Sequence, residues 1–92
     1  MTDLEKAVVN TLRLSDASAE RLLPTIQRNI DAARAELIRS GVSSSVVEGS
    51  GALVEDCIIA FCMVRMGEES ERMWYEDSFR TQQDNLRKSN EE

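Results

Sequence analysis

The sequence predicts an all-α fold, a small four-helix bundle in one domain spanning residues 1–92. One proline and four glycines among 92 residues leave few breaks between elements, which favours a few long helices over many short strands. Apolar residues recur at helical spacing in three predicted helices, and the third predicted helix is apolar almost all the way round. A chain of this length has room for a single core.

The first predicted helix covers residues 3–13. Thr2 and Glu5 have the spacing of a capping box, in which each side chain accepts a hydrogen bond from the other residue's backbone N–H. The apolar stripe of this helix is Leu4, Val8 and Leu12. Turn-forming serines and an aspartate follow it.

The second predicted helix covers residues 18–40 and ends at Gly41, because glycine tolerates the left-handed backbone that closes many helices. Its apolar stripe is Leu22 or Leu23, Ile26, Ile30, Ala33 and Leu37. A proline inside a helix costs about 3 kcal/mol or more. We therefore expect a kink or a fresh start near Pro24.

A long loop, residues 42–51, separates the second and third predicted helices. It exceeds the usual connection of about four to six residues, and its Val46 and Val47 have no periodic partner. Two interpretations stay open. The loop is a lid that places both valines on the core, or a mobile segment that orders against a neighbouring subunit.

The third predicted helix covers residues 52–66 and has no polar face, which indicates a buried helix at the centre of the bundle. The fourth covers residues 69–88, with residues 89–92 as a frayed end. Its apolar stripe begins at Met73 and continues through Tyr75, Phe79, Gln82 and Leu86. Trp74 lies off this stripe. It either packs on the corner formed by residues 66–67 or anchors a subunit interface, where tryptophan is enriched.

Charge is distributed unevenly along the chain. Residues 1–41 carry six basic and six acidic side chains, whereas residues 42–92 carry five and eleven, which accounts for the net charge of −6. An acidic surface disfavours tight binding to nucleic acid, because lysine and arginine supply most of that affinity. It does not exclude a surface that DNA passes without binding.

Few residues of the chain are suited to catalysis or to binding a cofactor. Histidine, the commonest general base and metal ligand, is absent, and the glycines do not have the spacing of a phosphate loop. Cys57 and Cys62 are about 140° apart on a helix, so they predict reduced core residues of a protein made in the cytoplasm. We expect no enzymatic activity, no cofactor and no metal.

The N-terminus lacks the pattern of a signal peptide, since no basic stretch leads into an apolar run. No apolar segment approaches the roughly 18 residues that span a membrane. The sequence therefore predicts a protein with no membrane partner.

Four segments together resemble the small head–tail connector family of tailed phages, also known as phage DNA-packaging proteins. They are Thr11-Leu12-Arg13-Leu14 followed by Ser15-Asp16; Leu22-Leu23-x-x-Ile26 with Ile30-Asp31-Ala32-Ala33, Glu36-Leu37 and Gly41; the apolar Val54–Met66 helix; and Trp74-Tyr75-Glu76-x-x-Phe79. The resemblance covers nearly the whole chain, and its motifs are packing patterns. Pro24 departs from the uninterrupted second helix that the family implies.

This resemblance implies a structural virion protein that joins capsid to tail. Its copies are expected to form a ring, a dodecamer, beneath the portal protein, with a tail-completion or stopper protein attached below. DNA would pass through the channel without specific binding. The resemblance names no contact residues; from the loop and the off-stripe tryptophan, the candidate contacts are Val46, Val47 and Trp74.

The main alternative is a small helical regulator that binds DNA or a protein partner. Such a regulator needs a recognition helix with basic or amide side chains on one face. The second helix carries Arg21, Arg28, Arg34 and Arg39, interleaved with Glu20, Asp31 and Glu36. A nuclease subunit and a general helical interaction protein are further alternatives.

Overall fold

The computed structural model describes residues 1–49 and 51–90, and every regular element in these two ranges is helical, which confirms the all-α fold class. Residue 50 of the predicted loop and residues 91–92 of the predicted frayed end lie outside them. The elements are α1 (Asp3–Leu12), α2 (Asp16–Ser40), α3 (Ser44–Val47), α4 (Ala52–Met66), a 3-10 turn (Glu69–Glu71) and α5 (Arg72–Asn90).

Helix α1 begins with the predicted capping box. The Glu5 backbone N–H donates to Thr2 Oγ1 at 3.1 Å, and the Thr2 N–H donates to Glu5 Oε1 at 2.8 Å. The helix ends at Arg13, whose φ of 59° is left-handed and whose N–H bonds back to the last turn. Leu4 and Val8 are buried, so this short helix is anchored by its apolar stripe.

Helix α2 begins earlier than predicted, because Ser15 caps it by accepting a hydrogen bond from the Ser18 N–H at 3.2 Å. The helix continues through Pro24, so of the two expectations at this residue, a kink or a fresh start, the fresh start is not seen. Pro24 is exposed, so water can bond the carbonyl that loses its N–H partner. Ile26 after it belongs to the core, and Leu22 before it packs against the same core, which favours one continuous helix.

The predicted loop of residues 42–51 contains the helical turn α3, so it is more ordered than the sequence indicated. Val42 is 2% exposed and Val47 is fully buried, and both belong to the core. Four residues are too few to show a helical period. For that reason the turn could not be recognised from the sequence.

Helix α4 packs against α1, α2 and α5, and with α2 it supplies most of the core. Its Cys57, Ile58 and Cys62 are at most 1% exposed. Not every apolar residue of α4 is buried, since Leu53 at its first turn remains 62% exposed. The bounds predicted for this helix agree with the structure.

Helix α5 runs back along α4, with Leu86 buried and the Phe79 ring 5.4 Å from that of Phe61. The predicted start at residue 69 is a 3-10 turn, and the α-helix begins three residues later. Met73 was expected to begin the buried stripe, but it is 77% exposed. Among the described residues, no helix is long and apolar enough to cross a membrane.

Candidate functional site

The largest exposed apolar residues of α5 stand side by side at the turn from α4 into α5. Met73 is 77% exposed and Trp74 is 66% exposed. The Trp74 ring meets the Tyr75 ring edge-on at 4.7 Å between centroids. We call this feature, together with the exposed Glu68, Glu69 and Glu71 that precede it, the Trp74 corner.

The rotation of α5 about its axis places Trp74 on the solvent-exposed side of the helix. Tyr75 lines a cleft with Met66 and Gly67 at the end of α4. Successive residues of a helix point about 100° apart, so the neighbouring indole is directed away from that cleft. Trp74 instead borders a shallow groove along α5 with Ser78 and other polar side chains. The sequence left open whether Trp74 packs on this corner, and the structure places Tyr75 there.

The three carboxylates of the Trp74 corner are explained by local structure. Glu69 and Glu71 lie in the 3-10 turn, and Glu68 precedes it. Negative side chains near the start of a helix are stabilised by the partial positive charge of its free N–H groups. These carboxylates therefore lie next to the exposed apolar pair Met73 and Trp74.

The other two candidate contacts belong to α3. Val47 is fully buried, and Val46 is partly buried and packs against the core. Helix α3 packs on α2, whereas Trp74 stands at the start of α5. Among the three candidates, Trp74 has the most surface available to a partner.

Helix α2 carries a second surface feature, a set of arginines. From the sequence alone these arginines suggested only DNA recognition. Arg21, Arg28 and Arg39 are exposed, whereas Arg34 is partly buried in a cleft. At about 100° per residue, Arg21 and Arg39 point in the same direction from the helix axis, and the direction of Arg28 differs from theirs by about 20°. We call these three residues the arginine stripe. It extends about 27 Å along α2.

Ion pairing within the arginine stripe is incomplete. Arg39 Nε donates to Glu36 Oε2 at 2.9 Å, and this contact raises the pKa of Arg39 and lowers the pKa of Glu36. Arg21 and Arg28 make no ion pair with any residue that the structure describes. Two guanidinium groups are therefore available to an acidic partner.

A cleft of about 540 Å³ lies between the start of α1, the middle of α2 and the start of α4. Its lining includes Glu5, whose carboxylate accepts hydrogen bonds from the Thr2 N–H and from Gln27 Nε2 at 3.1 Å. These bonds lower the pKa of Glu5, the Thr2 bond having the larger effect. Arg34 Nε is buried beside this cleft and has no hydrogen-bond partner among the described residues. Within residues 1–49 and 51–90, no group of side chains has the arrangement of a metal site.

Both thiols are free and buried, as the sequence predicted. Burial raises the pKa of Cys57 to about 12 and that of Cys62 to about 11. A thiol reacts as its thiolate, so neither cysteine is set up as a nucleophile near neutral pH. Both act as small apolar side chains of α4.

No family model, no curated protein and no solved structure matches this chain.

Proposed function

We propose that this chain is a structural subunit of a tailed-phage virion, a head–tail connector. The observation that carries the proposal is the pair of exposed side chains Met73 and Trp74 on a helical domain whose other large apolar residues are mostly packed. Adjacent exposed apolar residues of this size are typical of protein–protein contact sites. The choice of the connector family rests on the packing motifs described above, which resemble those of that family.

The energetics of a small chain favour assembly. A domain of this length buries only about 60–65% of the surface of its unfolded chain, which leaves a small net stability. Covering Met73 and Trp74 against another protein removes apolar surface from water at about 25 cal/mol per Å². In a closed ring, every copy buries these two side chains and is stabilised in this way.

We extend the proposal to the architecture. The long helices α1, α2, α4 and α5 are the four helices of the bundle, and α4 is its inner helix. Contacts of α4 with each of the other three, and its many buried residues, support this arrangement. The α3 turn then belongs to the connection between the second and third helices of the bundle.

The proposed partners follow from the role. Copies of the chain form a ring, with a dodecamer as the expected form, below the portal protein and above a tail-completion or stopper protein. DNA passes through the channel during packaging and ejection. The excess of acidic residues after residue 41 supports a channel or surface that does not retain DNA. The subunit is made in the host cytoplasm and ends in the virion, with no catalytic step and no cofactor.

Electron microscopy of the chain mixed with the portal protein encoded in the same genome tests this role. We expect an added ring-shaped layer on one face of the portal, absent from portal alone. A portal that stays unchanged at saturating concentrations of the chain would contradict the proposal.

The arginine stripe favours a second candidate, a small helical regulator that binds DNA. Arg21 and Arg28 lie on one exposed face and have no ion pair among the described residues. Filter binding of a DNA duplex at two salt concentrations tests this candidate. Tight binding that weakens steeply with salt would support the regulator and count against a channel that DNA passes freely.

A further inference from the structure

We infer that the Trp74 corner of one copy docks on the arginine stripe of the next copy. The inference rests on the proposed ring and names the two surfaces that meet in it. The occupant of each surface is therefore a second copy of this chain.

Charge complementarity is the first argument. Every copy carries a net charge of −6, so copies repel one another unless their contact brings opposite charges together. The Trp74 corner presents three exposed carboxylates, at residues 68, 69 and 71. Arg21 and Arg28 are exposed arginines without an ion pair among the described residues, and they lie about 10 Å apart on α2.

The chemistry of the apolar pair is the second argument. An indole ring stacks well on a guanidinium group, because the face of the ring attracts a cation. Between the arginines of the stripe lie Pro24, Thr25 and Ala35, which are exposed and small. Met73 and Trp74 can lie on this surface while the carboxylates reach the arginines on either side.

The third argument is the arrangement of the two surfaces on one chain. The Trp74 ring contacts Tyr75 of its own helix, and the stripe lies on the side of α2 that faces away from the core residues Ile26 and Ile30. Two different complementary surfaces on one chain make a head-to-tail contact, which closes into a ring when the rotation between copies allows it. A two-fold contact between two Trp74 corners would leave the stripe uncovered.

DNA is a weaker match for the stripe than a second copy. Glu20 and Asp31 flank Arg21 and Arg28 on the exposed side of α2, and they repel any anionic partner, DNA or protein. Met73 and Trp74 add apolar and cation–π contacts that a phosphate backbone does not offer, which favours a second copy as the partner. DNA binding through these arginines is an outcome that the test below detects.

A charge-swap experiment tests the inference. The stripe variant is R21E/R28E, the corner variant is E69R/E71R, and the combined variant carries all four changes. Assembly is followed by light scattering and by electron microscopy, alone and with the portal protein of the same genome, and folding by circular dichroism. We expect each double variant to need at least about tenfold more protein to assemble, and the combined variant to recover most of that loss.

The matched control for the stripe variant is K6E/K88E, which makes the same change in net charge as R21E/R28E at two exposed residues outside both surfaces. It is expected to assemble like the unmodified chain. Rings that form equally well in the stripe and corner variants would overturn the inference and leave the connector role intact. If neither the variants nor the unmodified chain assembles, the docking inference and the connector role are both contradicted. Loss of DNA binding in R21E/R28E with unchanged rings would assign the stripe to DNA and overturn the inference.

Discussion

The carbonyl oxygen of Met63 occupies the space that a side chain on Gly67 would need. A Cβ placed on Gly67 would lie 2.6 Å from this oxygen and 3.0 Å from Met63 Cε. Gly67 has φ −80° and ψ −175°, so glycine is needed here for close approach and not for a left-handed backbone. Its N–H closes α4 by donating to the same oxygen at 2.8 Å.

Gly67→Ala is therefore expected to destabilise the fold by about 1–3 kcal/mol, because the backbone must shift to relieve the overlap. Gly51→Ala is the matched control, since nothing lies within 4 Å of a Cβ placed there. We expect it to change the free energy of unfolding by less than about 0.5 kcal/mol. Urea unfolding followed by circular dichroism measures both. Equal effects of the two substitutions would contradict the close-packed turn.

Trp74→Ala should separate assembly from folding. The side chain is 66% exposed, so its truncation is expected to change the free energy of unfolding by less than about 0.5 kcal/mol. Loss of an interface anchor costs about 2 kcal/mol or more of binding free energy, roughly 30-fold in affinity. Leu53→Ala, at another exposed apolar residue, is the control and should leave the oligomer mass unchanged. An unchanged mass for Trp74→Ala in multi-angle light scattering would remove Trp74 from the interface.

The two thiols predict a loss of stability at alkaline pH. Their folded pKa values, about 12 for Cys57 and about 11 for Cys62, exceed the value of about 8.5 in an unfolded chain. Between these values the unfolded state binds fewer protons than the folded state, so the free energy of unfolding falls as pH rises. Each thiol contributes up to about 1.4 kcal/mol per pH unit.

Urea unfolding at pH 8, 9.5 and 10.5 checks this prediction, with Cys57→Ala, Cys62→Ala and the double variant compared. Each single variant should lose part of the alkaline slope, and the double variant should lose the most. If all three keep the slope of the unmodified chain, the thiols are not its source.

Glu5 predicts a loss of stability at acidic pH. Hydrogen bonds from Thr2 and Gln27 lower its pKa, so its contribution is present above about pH 4.5 and is lost as pH falls through the folded value. At pH 7 we expect Glu5→Ala to cost about 1–2 kcal/mol, since it removes the capping box and the contact with α2. Asp3→Ala, an exposed neighbour in the same first turn, should cost less. Urea unfolding at pH 7 and pH 3 measures both, and equal costs at pH 7 would contradict the role of the buried carboxylate.

Local signals in the sequence were enough to predict some elements. The capping box of Thr2 and Glu5 predicted the start of α1, because both partners lie within one turn of the chain. Residues 52–66 were predicted as a helix between two glycines, and α4 has these bounds. In both cases the determining contacts are close in sequence.

Other elements depend on tertiary contacts that the sequence does not display. Pro24 predicted a kink or a fresh start, yet α2 continues through it, with Ile26 in the core and Leu22 packed against the core. Val47 has no periodic partner, and its burial depends on where α3 meets α2. The helix propensity of a single residue does not include tertiary contacts of this kind.

The candidate site was partly predictable. Trp74 was recognised as lying off the apolar stripe of its helix, but Met73 was assigned to that stripe because its spacing fits. The rotation of α5 places Leu86 in the core and Phe79 against it, and it leaves Met73 exposed. Sequence spacing alone does not determine this rotation. The arginine stripe could have been found from the near-whole-turn spacings of Arg21, Arg28 and Arg39 on one long helix.

Native mass spectrometry of the portal complex tests the central claim, assembly into a connector ring, most directly. The account predicts that portal incubated with this chain gains the mass of a full ring of 10.3 kDa subunits, in a single step without partly filled rings at saturation. A portal whose mass does not change, or which gains only one or two copies at saturating concentration, would contradict the connector role.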